Sequence, residues 1–289
     1  TMQTILITGS NGQLGNEIRT IASEYPDYAF IFTDVAELNI CDKNALISFF
    51  QNTKIDWVVN CAAYTAVAKA EQDIEAAFAI NAAAVKNIGE VAAQFGSKII
   101  HISTDYVFDG KHYLPYTEDM TIHPTSIYGK SKAEGELALI NASKEYIIIR
   151  TSWLYSSFGN NFVKTMLKLG SEKETLNVIF DQIGSPTYAA DLAQAILQII
   201  KGNTFATGIY HYSNEGACSW YDFAKSIFKL AGITTCSINP IEAKDFYDQT
   251  PRPFYSLLNK SKIKKTFGIN IPHWEDSLAK CLAIIKKGA

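Results

Sequence analysis

Tyr128 and Lys132 stand four residues apart in the stretch "SIYGKSKAEGELA" (126–138). On an α-helix, residues i and i+4 share one face, about 6 Å apart at Cβ. A lysine so placed holds positive charge near the phenol, favours phenolate and lowers a pKa that is ordinarily about 10. A tyrosine tuned that way exchanges a proton with a substrate oxygen near neutral pH. The same spacing also occurs on ordinary helix surfaces, so the pair needs partners. "HISTDYVF" (101–108) supplies them, ending an apolar run with Ser103, Thr104 and Asp105. If that run is a strand of a parallel sheet, these residues reach the C-terminal edge, where ligands bind. Tyr128 follows Thr104 by 24 residues, so a hydroxyl, a phenol and an ammonium are expected to converge.

A third element gives them something to act on. "ITGSNGQLG" (7–15) spaces Gly9, Gly12 and Gly15 as GxxGxxG between a predicted strand and a predicted helix. Glycine permits a tight turn and lets a pyrophosphate approach the helix N-terminus, whose unpaired N–H groups and dipole attract anions. A purely structural βα turn uses the same residues. Asp34 ends the second apolar run, 19 residues after Gly15, where a carboxylate accepts hydrogen bonds from the adenosine ribose. Asp34 favours NADH, because it repels a 2′-phosphate, while Arg19 and its neighbours leave room for NADPH.

The elements that must position these groups are legible as periodicity. "TILITG" (4–9), "AFIFTD" (29–34), "DWVVNCAA" (56–63), "SKIIHIST" (97–104) and "EYIIIRTSW" (145–153) are continuous apolar runs, expected where helices cover both faces of a sheet. Helices are predicted over 13–25, 42–52, about 71–95 and about 127–143. This alternation predicts an α/β fold, a doubly wound parallel sheet of Rossmann type built from βαβ units. After Trp153 the alternation loosens: strands are predicted at 176–181 and 208–213, and helices at 159–170, 189–201, 219–231 and 274–287. The expected division is a dinucleotide-binding domain over 1–155 and a smaller α/β lobe, mainly substrate-binding, over 156–289, from which the chain may cross back to the main sheet.

Composition narrows the function classes. The 289 residues are 47% hydrophobic and carry a net charge of −3, which argues for a globular chain and against nucleic acid as partner. The single basic run, "KSKIKK" (260–265), is expected to be a solvated helix surface. Five scattered cysteines without CxxC spacing imply neither a disulfide framework nor a zinc site, and the five histidines show no paired ligand spacing, so no metal site is expected. No apolar run reaches membrane-spanning length and no signal peptide precedes the first strand, so a cytoplasmic enzyme without a membrane partner is expected.

With GxxGxxG and YxxxK in place, the chain resembles the extended short-chain dehydrogenase/reductase family and, within it, the dTDP-4-dehydrorhamnose reductases. "NCAAYTAVAKAE" (60–71), "STDYVFDG" (103–110), "YGKSKAEGE" (128–136), "RTSWLY" (150–155), "GNNFVKTML" (159–167), "DQIGSPT" (181–187) and "RPFYSLLN" (252–259) look like that family's segments, in its order. The resemblance implies reduction of the C4 ketone of a dTDP-linked 4-keto sugar by NADH or NADPH. Tyr128 would protonate the carbonyl oxygen, Lys132 would hold the nicotinamide ribose and tune the tyrosine, and Thr104 would hydrogen-bond the reacting oxygen. The cofactor would rest on Gly9, Asn11, Gly12, Gln13, Leu14, Gly15, Asp34, Asn39, Ile40, Ala62, Ala63 and Tyr64, together with Tyr128 and Lys132. Asp105, Tyr106 and Trp153 look like sugar-pocket residues, although Trp153 also fits a core role. Asn161 and Arg252 are candidates for the nucleotide half. Arginine forks onto diphosphates, yet it also pairs with carboxylates.

Ala68 and Asn39 depart from the family pattern, which often shows aspartate at both places. Tyr106 stands where the related dehydratases carry a glutamate, which disfavours water elimination. A nucleotide-sugar epimerase and a non-catalytic regulatory subunit, like the β subunit of methionine adenosyltransferase, are the competing readings. The expected partners are a nucleotide sugar and, as an assembly, a second copy of the chain.

Overall fold

A computed structural model describes residues 1–289. Six strands form one sheet: β1 (Gln3–Thr8), β2 (Tyr28–Phe32), β3 (Trp57–Asn60), β4 (Lys98–Thr104), β5 (Tyr146–Thr151) and β6 (Gly208–His211). Their order is β6-β5-β4-β3-β1-β2 and every pairing is parallel. The chain winds outward from β1 to β2 and then in the opposite direction from β3, so the order reverses between β1 and β3. At that switch point, connections leave on opposite faces and open a crevice at the C-terminal strand ends.

Alternation along each strand divides the apolar residues between two helical layers. Ile5, Ile7, Val59, Ile147 and Ile149 pack beneath α1 (Gln13–Ile21) and a long helix, Ala189–Lys201. Leu6, Val58, Ile99 and Ile148 pack against α2 (Lys43–Asn52), α3 (Ala84–Phe95) and α4 (Ile127–Ala142). The predicted helix over 71–95 is broken: helical turns at Val67–Ala70 and Ile74–Phe78 lead through a π-helical stretch, Ala79–Ala83, into α3. A π-bulge of this kind re-aims side chains. Here it turns Asn81 inward, to bond both the N–H and the C=O of Tyr64 and the Ser131 hydroxyl of α4.

Residues beyond β5 build a second apolar core. Helices Phe162–Glu172, Trp220–Ala231 and Trp274–Gly288 surround Met166, Phe223, Ile227, Leu278 and Leu282, beside a two-stranded parallel ribbon (Thr175–Ile179 with Ser237–Ile241). The chain does return to the main sheet through Ala189–Lys201 and β6. In the basic run 260–265, Lys262 and Lys265 are exposed as expected, and Lys260 departs from the pattern. Lys260 is buried, with its ammonium on the Ser213 hydroxyl and the Asn214 carbonyl. Helix Ser261–Phe267 inserts Ile263 into the main core and leaves its other lysines toward solvent. No helix is long and apolar enough to cross a membrane.

One buried ion pair ties α4 to the sheet. Arg150 on β5 grips Glu136 of α4 at 2.7 and 3.0 Å, both side chains being at most 3% exposed. The Ser103 hydroxyl donates to the same carboxylate at 2.5 Å, and His211 of β6 lies 3.4 Å from Arg150. Ser103, Arg150 and His211 occupy one register across β4, β5 and β6. Arg150→Met is expected to cost about 3–5 kcal/mol, because it leaves a buried carboxylate alone. Adding Glu136→Leu should recover most of that loss, as read from urea unfolding midpoints of the two variants.

Candidate active site

The crevice at the switch point is a cleft of about 1000 Å³ that runs from β2 across to the C-terminal unit. Gly9 begins its floor in the left-handed region, φ 62°, and a Cβ there would sit 2.5 Å from the Ala62 nitrogen at the end of β3. The β1 and β3 turns therefore touch backbone to backbone. Gly15 seats α1 against the same turn, since a Cβ would come 2.4 Å from the Ser10 Cα. Gly12 differs: its nearest neighbour would be the Gly9 carbonyl at 3.4 Å, which leaves its outer side open. No side chain caps α1, so its first N–H groups face the cleft beside Gly12, Gln13 and Leu14. Open donors and an uncrowded glycine at a helix N-terminus suit a pyrophosphate.

Asp34 closes the β2 side and accepts the Asn11 N–H at 3.0 Å. Asn11 thus supports the wall from behind and does not line the cleft. Arg19 stacks its guanidinium on Phe32, 4.3 Å from the ring centre, and reaches Ser10. Leu38, Asn39 and Ile40 continue the wall, and the Asn39 side chain accepts the Cys41 N–H. Ala62 and Ala63 line the opposite side, whereas Tyr64 turns away, its hydroxyl on Asp73 and its backbone clasped by Asn81. Gly15 also lies behind the lining. Exposed Ala68 sits beside Val67 at the rim.

Thr104, Tyr128 and Lys132 do meet, at the C-terminal end of β4. Ser126 caps α4 by accepting the Gly129 N–H, which starts the helix one residue before the tyrosine. Gly129 allows this approach, because a Cβ would lie 2.3 Å from the Tyr106 carbonyl. The Lys132 ammonium donates to the Ile102 carbonyl at 2.6 Å. Burial pulls its pKa down to about 8, while Glu136 one turn along resists the fall. Tyr128 departs from the expectation drawn from spacing. Burial raises the phenol above its ordinary pKa; the Thr104 hydroxyl opposes the rise, and Asp105 and Tyr106 add to it. Removal from water outweighs a lysine whose charge is directed at a carbonyl. The tyrosine is therefore held as the neutral acid, the form that donates a proton.

Beyond Thr104 the chain makes a single turn, Asp105–Val107, started by the Tyr106 N–H on the Thr104 hydroxyl. Asp105 is almost wholly buried and accepts from Thr104 at 3.1 Å. Burial pushes its carboxyl up to about 7, against hydrogen bonds from Ser256, Thr104 and the backbone. Tyr106 sets its ring edge-on to Tyr128, centres 5.3 Å apart, and its hydroxyl receives Arg252 at 3.3 Å. Arg252 also holds Asp248, so one fork bridges two loops at the cleft mouth.

Trp153 is both wall and strain point. It alone among non-glycine residues has a positive φ, 49°, and it stacks on Trp220 with ring centres 3.6 Å apart. Phe162 and Phe223 extend this aromatic wall. Asn161 stands just behind it as the cap of helix Phe162–Glu172, its amide on Gln13 and the Ser156 carbonyl. It joins the two units and does not line the cleft. Trp220 and Phe223 escaped the sequence reading because helical periodicity marks them only as core. Their one local signal, the "CSW" turn, carries no chemistry.

Residues 2–287 match the family model described as the RmlD substrate binding domain. A dTDP-4-dehydrorhamnose reductase of Aggregatibacter actinomycetemcomitans is 41% identical over 286 residues, covering 96% of this chain and 97% of its own. The crystal structure of a dTDP-4-dehydrorhamnose reductase from Clostridium acetobutylicum superposes with a TM-score of 0.94 at 42% identity, over 98% of this chain and all of its own. One from Bacillus anthracis, in complex with NADP, also gives 0.94, at 37% identity and the same coverage.

Asp105 makes folding stability depend on pH in an unusual direction. Its folded pKa of about 7 lies above the ordinary 3.8, so between these values the folded state holds a proton that the unfolded state releases. Its contribution is fully present below the lower value and declines as pH rises to about 7. Thermal melting should show Asp105→Asn gaining on the wild type steadily across that window. A constant difference would refute the shift.

Proposed function

The chain belongs to the RmlD substrate binding domain family, and from that premise we propose that it is an NAD(P)H-dependent reductase of dTDP-4-dehydro-L-rhamnose. The product is dTDP-L-rhamnose, and the chain works in nucleotide-sugar biosynthesis. One observation carries the reading: Thr104, a protonated Tyr128 and Lys132 converge in the cleft that also holds the Gly12 turn and Asp34. Reductases similar to it over nearly their full lengths support the same conclusion.

The open α1 N-terminus at Gly12, Gln13 and Leu14 would hold the pyrophosphate, Asp34 the adenosine ribose, and Asn39 and Ile40 the adenine side. Lys132 would hold the nicotinamide ribose. The nicotinamide, when bound, supplies hydride. Tyr128, neutral in its buried setting, gives its proton to the ketone oxygen as negative charge develops there. The Thr104 hydroxyl hydrogen-bonds the same oxygen and fixes the carbonyl in line. Arg252 at the mouth takes the diphosphate, and Trp153 with Trp220 forms the apolar side of the sugar pocket. Tyr106, in place of a glutamate, leaves no second acid–base group for eliminating water.

Purified protein given dTDP-4-dehydro-L-rhamnose should consume NADH or NADPH, followed by loss of nicotinamide absorbance; consumption of neither would end this reading. Tyr128→Phe should lower kcat by roughly 10²–10⁴-fold, the usual worth of a positioned general acid. A near-normal rate would remove the phenol from the chemistry.

A further inference from the structure

Asn161 reaches from the C-terminal unit to the first residue of α1, 148 positions away in the chain. Which atom of its amide does what is fixed by neighbours that have only one role. The Lys164 N–H can only donate, at 3.1 Å, so the atom that caps helix Phe162–Glu172 is the Asn161 oxygen. The Ser156 carbonyl can only accept, at 2.8 Å, so the Asn161 nitrogen faces it. The second hydrogen of that nitrogen goes to the Gln13 side chain, 3.0 Å away. Gln13 must therefore turn its own oxygen toward Asn161. Both Asn161 hydrogens are spent within the protein, and neither remains for a substrate.

The other end of the Gln13 amide is an NH2 group that no protein atom engages. The stem of the side chain lies over Gly159, where a Cβ would come 3.1 Å from the Gln13 Cγ. Gly12, Gln13, Gly159 and Asn160 all line the cleft. Two side-chain hydrogens thus stand at the uncapped end of α1, beside the backbone N–H groups that suit a pyrophosphate. The opposite flip of the same amide would set a carbonyl oxygen against that anion.

Resting on the reading of this turn as the cofactor's pyrophosphate site, we propose that Asn161 is a positioning residue for the cofactor. It orients the Gln13 amide so that the NH2, and not the oxygen, meets the pyrophosphate. The residue that does this belongs to the unit that carries the sugar wall. Its neighbour Phe162 packs on Trp220 with ring centres 4.8 Å apart. The dinucleotide is therefore held by both units, and its binding depends on a contact made outside the glycine-rich turn.

Asn161→Ser tests this, because serine still caps the helix while its side chain is too short to reach Gln13. NADPH titrated into the protein without sugar, followed by nicotinamide fluorescence, should bind the variant roughly 10-fold more weakly. That is the lower end of what a hydrogen bond to a charged group contributes. Gln13→Met keeps the length and removes the amide, and it should lose about as much. In that background Asn161→Ser should have no further effect. At steady state the KM for NADPH should rise while kcat and the KM for dTDP-4-dehydro-L-rhamnose hold, since Thr104, Tyr128 and Lys132 are untouched. An unchanged NADPH Kd in Asn161→Ser, or an equal loss in both backgrounds, would overturn the proposal. A rise confined to the KM of the sugar would do the same and return Asn161 to the nucleotide half of the substrate. Wild type that binds neither NADH nor NADPH would sink the pyrophosphate site and the proposal together. Wild type that binds NADPH with these differences but turns over no sugar would sink the reductase reading alone.

Discussion

The Glu136–Arg150 pair is the constraint on which the rest of the site depends. Two charges removed from water at a helix–sheet contact are tolerable only if each completes the other, so α4 has one rotation and one height against β5. Tyr128, Lys132 and Glu136 follow one another at four-residue steps along a single helical stripe. Seating the last of them on Arg150 therefore aims the other two at the end of β4. The Ser103 hydroxyl joins the same carboxylate, which draws the neighbouring Thr104 into register with the helix. Glycines let this happen at close range: a Cβ at Gly135 would lie 2.0 Å from the Asn81 carbonyl.

Burial then sorts the titratable groups by sign. The same desolvation that keeps Tyr128 protonated and pushes Asp105 up to about 7 pulls Lys132 down to about 8. Glu136 keeps that ammonium charged at neutral pH. A neutral acid beside a cation is the arrangement a reduction needs, because the proton must leave the protein as hydride arrives. The opposing wall is apolar and strained. Trp153 holds a left-handed backbone, a conformation that costs about 1–3 kcal/mol and persists only where surrounding packing enforces it. Stacking on Trp220 supplies that packing, so the indole is held against the cleft and the strain is maintained by the second core.

Much of this was legible in the chain. The five apolar runs became β1 to β5, because continuous Ile and Val suits only a sheet covered on both faces. The glycine spacing marked the βα turn, and the tyrosine and lysine stood on the expected helix. Other features were illegible for physical reasons. Periodicity shows an apolar stripe but not a π-bulge, so the inward turn of Asn81 and its clasp on Tyr64 could not be read. Lysines in "KSKIKK" look solvated until β6 and Ser261–Phe267 bring Lys260 against Ser213 and Asn214. Asn161 looks like a ligand group, yet its amide is used to join Gln13 to the C-terminal unit.

The sequence by itself determined the alternation of strands and helices, the open N-terminus of α1, and the presence of a hydroxyl, a phenol and an ammonium on neighbouring elements. Those properties follow from local periodicity and covalent spacing, which act over a few residues. Tertiary structure alone decided the protonation states, the partner of Arg150, the burial of Asp105 and the meeting of Trp153 with Trp220. Each of these depends on how much water is excluded and on which distant groups replace it. That information lies in contacts between residues far apart in the chain, such as Arg252 on Tyr106, 146 positions away, and no window along the chain contains it.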